Sequence, residues 1–306
     1  MQGLFIDASA ELAAILRSLA RESDPPIAIH EAAHVEPADL PRLLAGHDFA
    51  LNDHTFMPTD AMRDCTGLRH VIFLGTGAAS YMDPVALAAL GIQVHTIKGY
   101  GDTAVAEHTV ALMWAAARGL AQMDRSIRAG GWPRLEGVQL TGKTLGLIGF
   151  GGIAAEVARI AHGSGMRVLA WNRTARSAPG VEFVPLERLL AESHVVSIHL
   201  LLTEETRGFL DASRLAQMRP GAILVNTARG AIVDEGAMLA ALGDGRLGHA
   251  ALDVFHEEPL RPGHALTRLD NVTLSAHSAF RTPEASETLI RRAIAIAAEV
   301  ARSAKG

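Results

Sequence analysis

Residues 144–154 run an apolar stretch, Thr144-Leu145-Gly146-Leu147-Ile148, into Gly149-x-Gly151-x-x-Ala154 and on into a helical pattern that lasts to His162. Few architectures accommodate this. The first glycine permits a tight turn, the second lets backbone approach a pyrophosphate, and the small third residue lets helix and strand pack closely. A second apolar run, Arg167 to Trp171, ends about 20 residues further on, as the crossover of a dinucleotide-binding βαβ unit requires. The spacing therefore predicts a parallel strand-helix-strand unit with Gly149, Gly151, Gly152 and Ile153 against a dinucleotide. The rival reading is a plain glycine turn, which the clean strand before it and the clean helix after it disfavour.

The same alternation extends in both directions and predicts two doubly wound parallel sheets. The first series has strands at Leu4 to Ile6, Ile27 to His30, Phe49 to Asn52, His70 to Leu74 and Gln93 to Ile97, with helices such as Glu11 to Arg21 and Pro84 to Leu90. A turn at Gly99-Tyr100-Gly101 leads into a helix from Thr103 to Leu120, whose small apolar residues suit burial. After Arg167 to Trp171 the second series continues with Val195 to Leu200, Ala222 to Asn226, His249 to Asp253 and Asn271 to Ser275, about six strands in all. A last helix, Pro283 to Ala301, packs back on the first series.

Composition narrows the function classes. With 306 residues, 49% hydrophobic and 20% charged, the chain can bury two cores, and a net charge of -5 offers no basic footprint for nucleic acid or anionic lipid. The start, Met1-Gln2-Gly3-Leu4-Phe5-Ile6-Asp7, lacks the basic region of a signal peptide, and the apolar segment Thr103 to Ala117 carries Glu107 and His108 and falls short of the ~20 residues of a membrane span. The expectation is a cytoplasmic protein. Cys65 is the sole cysteine and reads as a free thiol. His30, His34, His54, His70, His95, His249 and His264 show no metal-site spacing, so no metal is expected.

Chemistry-bearing residues stand at strand ends. Arg229, in Asn226-Thr227-Ala228-Arg229-Gly230, follows the strand Ala222 to Asn226, where open α/β sheets bind ligands and where a guanidinium fork can take a carboxylate and a carbonyl oxygen. Asp253 closes the next strand and leads to Glu258-Pro259; His277 closes the one after, in Ser275-Ala276-His277. A histidine that donates one ring nitrogen to a carboxylate is fixed in one tautomer and favoured as a proton donor. Each residue alone is ordinary; an arginine, a glutamate and a histidine at neighbouring strand ends suggest hydride transfer to a keto acid. Asn172-Arg173-Thr174 follows the second strand, where an acid would bond an NAD ribose; a neutral Asn172 with Arg173, Thr174 and Arg176 suits a 2′-phosphate, and so NADP(H), while Asn172 on the ribose of NAD(H) is the alternative. Gly75-Thr76-Gly77 could offer backbone N–H groups to an anion or be a plain turn.

Taken together, residues 149–154, Thr227-Ala228-Arg229-Gly230, Asp253-Val254-Phe255 with Glu258-Pro259, and His277 resemble the D-isomer-specific 2-hydroxyacid dehydrogenase family across nearly the whole chain. The resemblance implies a Rossmann dinucleotide-binding domain (99–281) inserted in a flavodoxin-like substrate domain (1–98 plus 282–306), with the active site in the cleft between them. It implies that Arg229 binds the substrate, His277 is the acid/base and Glu258 orients it. Thr76 and Gly77 would receive the substrate carboxylate. Thr103, His199, Leu200, Thr206, Thr227, Ala228 and Asp253 would contact the cofactor, Asp253 at the nicotinamide carboxamide. Two positions depart from the family pattern: the Asn172-Arg173-Thr174 turn, and Leu201 where proline is usual. The implied reaction passes a hydride from NAD(P)H to a small 2-keto acid to give a D-2-hydroxy acid, with glyoxylate and hydroxypyruvate favoured and a homodimer formed through the helix to Leu120 and the segment bearing Trp132. The alternatives are a phosphoglycerate dehydrogenase-type enzyme and a non-catalytic dinucleotide-sensing interaction protein.

Overall fold

The computed structural model describes residues 1–32, 35–174 and 176–304; His34 lies outside them. The chain forms two compact units, Met1–Gly101 with the segment from Arg281 onward, and Asp102–Phe280.

In the first unit β1 (Gly3–Phe5), α1 (Ala10–Leu19), β2 (Ile27–Ile29), α2 (Leu40–Leu44), β3 (Phe49–Asn52), α3 (Thr59–Arg63), β4 (His70–Phe73), α4 (Pro84–Ala89) and β5 (Gln93–Thr96) follow in order. The sheet is parallel with strand order β2-β1-β3-β4-β5, a flavodoxin-like winding. Alternation within the strands sends Phe5, Phe49, Leu51 and Ile72 to one face and Leu4, Ala50, Val71 and Phe73 to the other, so both faces are buried under helices. The buried Asp7, two residues past β1, accepts from the N–H groups of Asp53, His54 and Thr55 and from Thr55 Oγ1, which pins the loop after β3.

The second unit contains α5 (Asp102–Ala117), α6 (Leu120–Arg128), β6 (Thr144–Ile148), α7 (Gly152–Gly163), β7 (Arg167–Trp171), β8 (Val181–Phe183), α8 (Leu186–Glu192), β9 (Val195–Ile198), α9 (Ala212–Gln217), β10 (Ala222–Asn226), α10 (Glu235–Gly243), β11 (Leu247–Leu252) and β12 (Val272–Leu274). Its parallel sheet has seven strands among the described residues, in the order β12-β11-β10-β9-β6-β7-β8. This is the Rossmann winding, and it reverses between β6 and β9. Residues of β6, β9 and β10 are all buried; Leu145, Leu147 and Val225 pack under α5 and α7, while Ile148, Val196 and Leu224 pack on the opposite face. The last helix, α11 (Pro283–Ser303), lays Leu289, Ile290, Ala293 and Ala297 against the first unit.

Two sequence-level expectations change. The single helix to Leu120 is two helices, because Gly119 adopts φ 61 and stops α5, a backbone state that glycine accepts without strain. The short β8 was not anticipated: it has three residues on a sheet edge, Glu182 exposed between half-buried Val181 and Phe183, too few for a period-2 signal. Among the described residues no helix is long and apolar enough to cross a membrane.

One buried histidine of this sheet makes stability pH-dependent. His249 on β11 is 8% exposed, its Nε2 lies 2.9 Å from Thr273 Oγ1, and burial, helped by the Arg125 charge, pushes its pKa down to about 4. The unfolded chain binds a proton near pH 6.5 that the folded chain refuses until about pH 4, so stability is lost as the pH falls through that window. Urea unfolding at pH 7 and pH 5 should show the wild type losing about 1–2 kcal/mol more than His249→Gln. Equal losses in the two proteins would mean that His249 titrates normally.

Candidate active site

The glycine turn stands where the winding of the second sheet reverses, the place where open α/β sheets bind ligands. Gly149 has φ 90, and a Cβ on it would lie 2.6 Å from the carbonyl oxygen of His199 at the end of β9, so only glycine fits. At Gly151, which caps α7 without a side chain, a Cβ would meet nothing within 4 Å. Open space, exposed helix N–H groups and a positive helix end are what a pyrophosphate needs, so the residues present fit a dinucleotide. Gly152 lets Asp102 of α5 approach, which brings the exposed Thr103 to the same rim. Asn172 is locked in place: its Oδ1 accepts from Phe150 N–H at 3.2 Å, and its Nδ2 donates to Thr174 O at 2.8 Å. Arg173 and Thr174 are exposed, and Arg173 pairs with Glu205 at 2.7 Å. Across the reversal, His199 is hydrogen-bonded to Ser197, and burial lowers its pKa to about 4, so it is neutral at physiological pH. Leu200 is half-buried beside it, and Thr206 Oγ1 closes the following loop by donating to Leu201 O at 2.6 Å.

The loop bearing Arg229 is shaped by Asn226, the last residue of β10. Its Oδ1 accepts from Ala228 N–H at 3.0 Å and its Nδ2 donates to Arg229 O at 2.9 Å, bracketing Thr227 and Ala228 between two bonds of one side chain. Gly230 lacks the Cβ that would collide with the Phe255 backbone, so the loop after β10 packs directly on the loop after β11. Arg229 is half-buried and donates from Nη1 to Ala228 O at 2.7 Å.

Glu258 and His277 meet. Glu258 Oε2 lies 2.6 Å from His277 Nδ1, and Glu258 Oε1 accepts from Phe255 N–H at 2.9 Å. Burial works to raise the Glu258 pKa, but the bonds from His277 and Phe255, with the charge of Arg229, outweigh it and hold the carboxyl below its ordinary value. Glu258 is therefore an anion at neutral pH, His277 Nδ1 is the donor to it, and Nε2 is left for other work. His277 has φ 47, the left-handed region that non-glycine residues rarely occupy, and its N–H donates to Asp253 O at 2.7 Å. The Asp253 carboxylate, wholly buried, accepts from Ser275 Oγ at 2.6 Å, Ser278 N–H at 3.0 Å and Ala279 N–H at 3.0 Å. It is thus turned to the loop that carries His277.

With Arg229, Glu258 and His277 on adjoining strand ends, the comparisons with known proteins are decisive. Residues 110–279, more than half of the chain, match the family described as D-isomer specific 2-hydroxyacid dehydrogenase, NAD binding domain. The chain belongs to the D-isomer-specific 2-hydroxyacid dehydrogenase family. It is 42% identical over 260 residues to the glyoxylate reductase of Aeropyrum pernix, covering 81% of this chain and 76% of that one. It is 34% identical to the glycerate dehydrogenase of Methylorubrum extorquens over 83% of this chain and 82% of the relative. A D-3-phosphoglycerate dehydrogenase from Archaeoglobus fulgidus is 36% identical, and the match spans about half of its length. Among solved structures, a protein from Thermus thermophilus is similar with a TM-score of 0.86 and 33% identity, covering 96% of this chain and 94% of that one. An acyclic imino acid reductase in complex with NADPH and D-Arg also has a TM-score of 0.86, at 27% identity over 99% of this chain and 98% of that one. This dehydrogenase is accordingly an oxidoreductase that uses a nicotinamide dinucleotide.

All the expected site residues except Thr76 and Gly77 lie in the second unit; these two follow β4 in the first, Thr76 exposed and Gly77 buried. The sequence reading missed the parts played by Asn226, Ser275, His108 and Thr109. Asn226 carried a usable signal, since an asparagine at a strand end often bonds backbone two residues on. The other three are ordinary polar residues whose partners are distant in sequence.

The pair at 2.6 Å makes two linked predictions for keto-acid reduction. His277→Ala should lower kcat by the ~10² to 10⁴-fold typical of losing a general acid, with dinucleotide affinity nearly kept. Glu258 remains ionised down to below the ordinary carboxylate range; Glu258→Gln removes the anion that holds Nδ1–H and with it the ring's orientation, so kcat should fall by roughly 10- to 100-fold with dinucleotide affinity nearly kept. A fully active His277→Ala or Glu258→Gln protein would contradict this reading of the pair.

Proposed function

We propose that this dehydrogenase reduces glyoxylate and hydroxypyruvate to D-2-hydroxy acids. The bond between His277 Nδ1 and Glu258 Oε2, with Arg229 beside it, is the observation that carries the reading. The dinucleotide, when bound, supplies the hydride. Arg229 offers a planar fork to the substrate's carboxylate and carbonyl oxygen, and so fixes which face of the carbonyl carbon is presented. His277 delivers a proton from Nε2 to the oxygen as charge develops there, while Glu258 holds the ring in the required tautomer. Thr76 and Gly77 are assigned to the substrate carboxylate, the glycine turn and Thr103 to the pyrophosphate side, and Leu200, Thr206, Thr227 and Ala228 to the remainder of the cofactor. Asp253 is assigned to the nicotinamide carboxamide and, through its bonds to the loop of residues 275–279, to positioning His277. The relatives named glyoxylate reductase and glycerate dehydrogenase support the substrate class.

A panel of glyoxylate, hydroxypyruvate, pyruvate and phosphohydroxypyruvate with NAD(P)H tests this. The first two should give the highest kcat/KM. Preference for the phosphorylated acid would move the reading to a phosphoglycerate dehydrogenase-type enzyme; cofactor binding without turnover of any acid would favour the dinucleotide sensor. A homodimer belongs to the same proposal, since Leu120, Ile127, Trp132 and Val138 are exposed on α6 and the segment after it, and sedimentation of the same preparation at the monomer mass would remove it.

For the cofactor we propose NADP(H) over NAD(H). The Arg173–Glu205 pair is highly exposed and such pairs are worth ~0–1 kcal/mol, whereas hydrogen bonds to a charged phosphate are worth ~1.5–3 kcal/mol. Exchanging Glu205 for a 2′-phosphate is therefore favourable, and Asn172 places no negative charge against it. The ratio of kcat/KM at low salt should favour NADPH by about tenfold or more, and Asn172→Asp with Arg173→Ala should reverse it. A wild type that prefers NADH would show that Arg173 stays with Glu205.

A further inference from the structure

Two consecutive side chains of α5, His108 and Thr109, reach the two loops on which the reacting groups stand. Thr109 Oγ1 donates to Val105 O at 2.7 Å and lies 2.8 Å from Thr227 Oγ1, both threonines being buried. Its single proton is spent on Val105, so Thr227 is the donor in the second bond. Thr227 stands two residues before Arg229. On the neighbouring residue, His108 Nε2 lies 2.9 Å from Ser275 Oγ and 3.5 Å from Asp253 Oδ1. Burial works to raise the Asp253 pKa, but the His108 ring close by and the bonds from Ser275, Ser278 and Ala279 outweigh it, so the carboxylate is an acceptor only. Ser275 therefore gives its proton to Asp253 at 2.6 Å, and its oxygen must receive Nε2–H of His108. Ser275 stands two residues before His277.

We propose that His108 and Thr109 are positioning residues that set the two halves of the active site independently, His108 the proton-donor loop through Ser275 and Asp253, and Thr109 the substrate-binding loop through Thr227. The assignment rests on the roles given above to His277 and Arg229. One helical turn with a fixed rise thereby relates two loops that begin on different strands. A bond to a side chain at the root of each loop controls where its tip points, and a misplacement of about 1 Å costs up to ~10²-fold in rate. Ordinary packing would use apolar contacts, as Leu112 and Met113 of the same helix do.

The test uses the full chain and the variants His108→Leu, His108→Gln, Thr109→Val and Thr109→Ser. His108→Leu should lower kcat roughly 10- to 100-fold with keto-acid KM little changed, and Thr109→Val should raise keto-acid KM by a similar factor with a smaller effect on kcat. His108→Gln, which keeps a donor where Nε2 is, and Thr109→Ser should each recover most of the loss. The double variant His108→Leu/Thr109→Val should show the product of the two effects, as independent sites do. Loss of kcat and KM in the same proportion, in step with a falling Tm, or failure of both rescues, would overturn the proposal. Nitrogen-15 spectra of the histidine rings read the geometry without turnover: the His277 ring signal should move in His108→Leu and stay in Thr109→Val. An unmoved His277 signal in His108→Leu overturns the proposal even if no keto acid is reduced, whereas a moved signal in an inactive wild type leaves the positioning intact and overturns only the proposed substrate.

Discussion

A carboxylate buried without partners is costly, and Asp253 offsets that cost largely by taking hydrogen-bond donors from the loop of residues 275–279. Its oxygens collect one hydroxyl and two backbone N–H groups, so the loop cannot leave without stranding a charge in the core. This obligation is what allows His277 to sit at φ 47, a conformation worth ~1–3 kcal/mol of strain that persists only when the surroundings over-determine it. The backbone is bent to present the imidazole. Asp253 thus shapes the site from beneath, through the very bonds that stabilise its own charge.

Above it, charges are arranged so that none cancels another. Arg229 favours the ionised form of Glu258 without appearing among its hydrogen-bond partners, since Glu258 divides its oxygens between His277 and the Phe255 N–H, and Arg229 holds its own loop through Ala228. A direct arginine–glutamate bond would leave the guanidinium fork unavailable to a substrate anion. The close approach that Gly230 permits between the loops after β10 and β11 makes this spacing feasible.

Much of the fold was legible because its signals are local. Continuous apolar runs mark strands buried on both faces, and the glycine at position 149 marks a backbone state and a contact with His199 O that no other residue tolerates. Arg229, Glu258 and His277 were legible for a different reason: parallel strands place all their carboxyl ends at one edge, so residues just past successive strands are neighbours whatever their distance in sequence. What escaped was the hydrogen-bonded support. Ser275 and His108 are 167 positions apart, Thr109 and Thr227 are 118 apart, and nothing in either pair's local sequence names its partner. The edge strand β8 escaped because three residues are too few to carry a pattern.

The long helix α5 explains why such support is needed at all. Loops after β10 and β12 grow from different strands of a twisted sheet, and each is stiff at its root and free at its tip. Adjoining strands hold the roots at fixed spacing, but hydrogen bonds of the ladder say nothing about where tips beyond the last ladder bond will lie. A helix packed across the ends of β10 and β11, with polar side chains at consecutive positions, supplies a reference outside the sheet. Because His108 and Thr109 are about 100° apart around the helix axis, they diverge toward different loops while sharing one rigid backbone. The separation between the loops that carry His277 and Arg229 is then set through a single peptide unit rather than by the sum of two loop conformations.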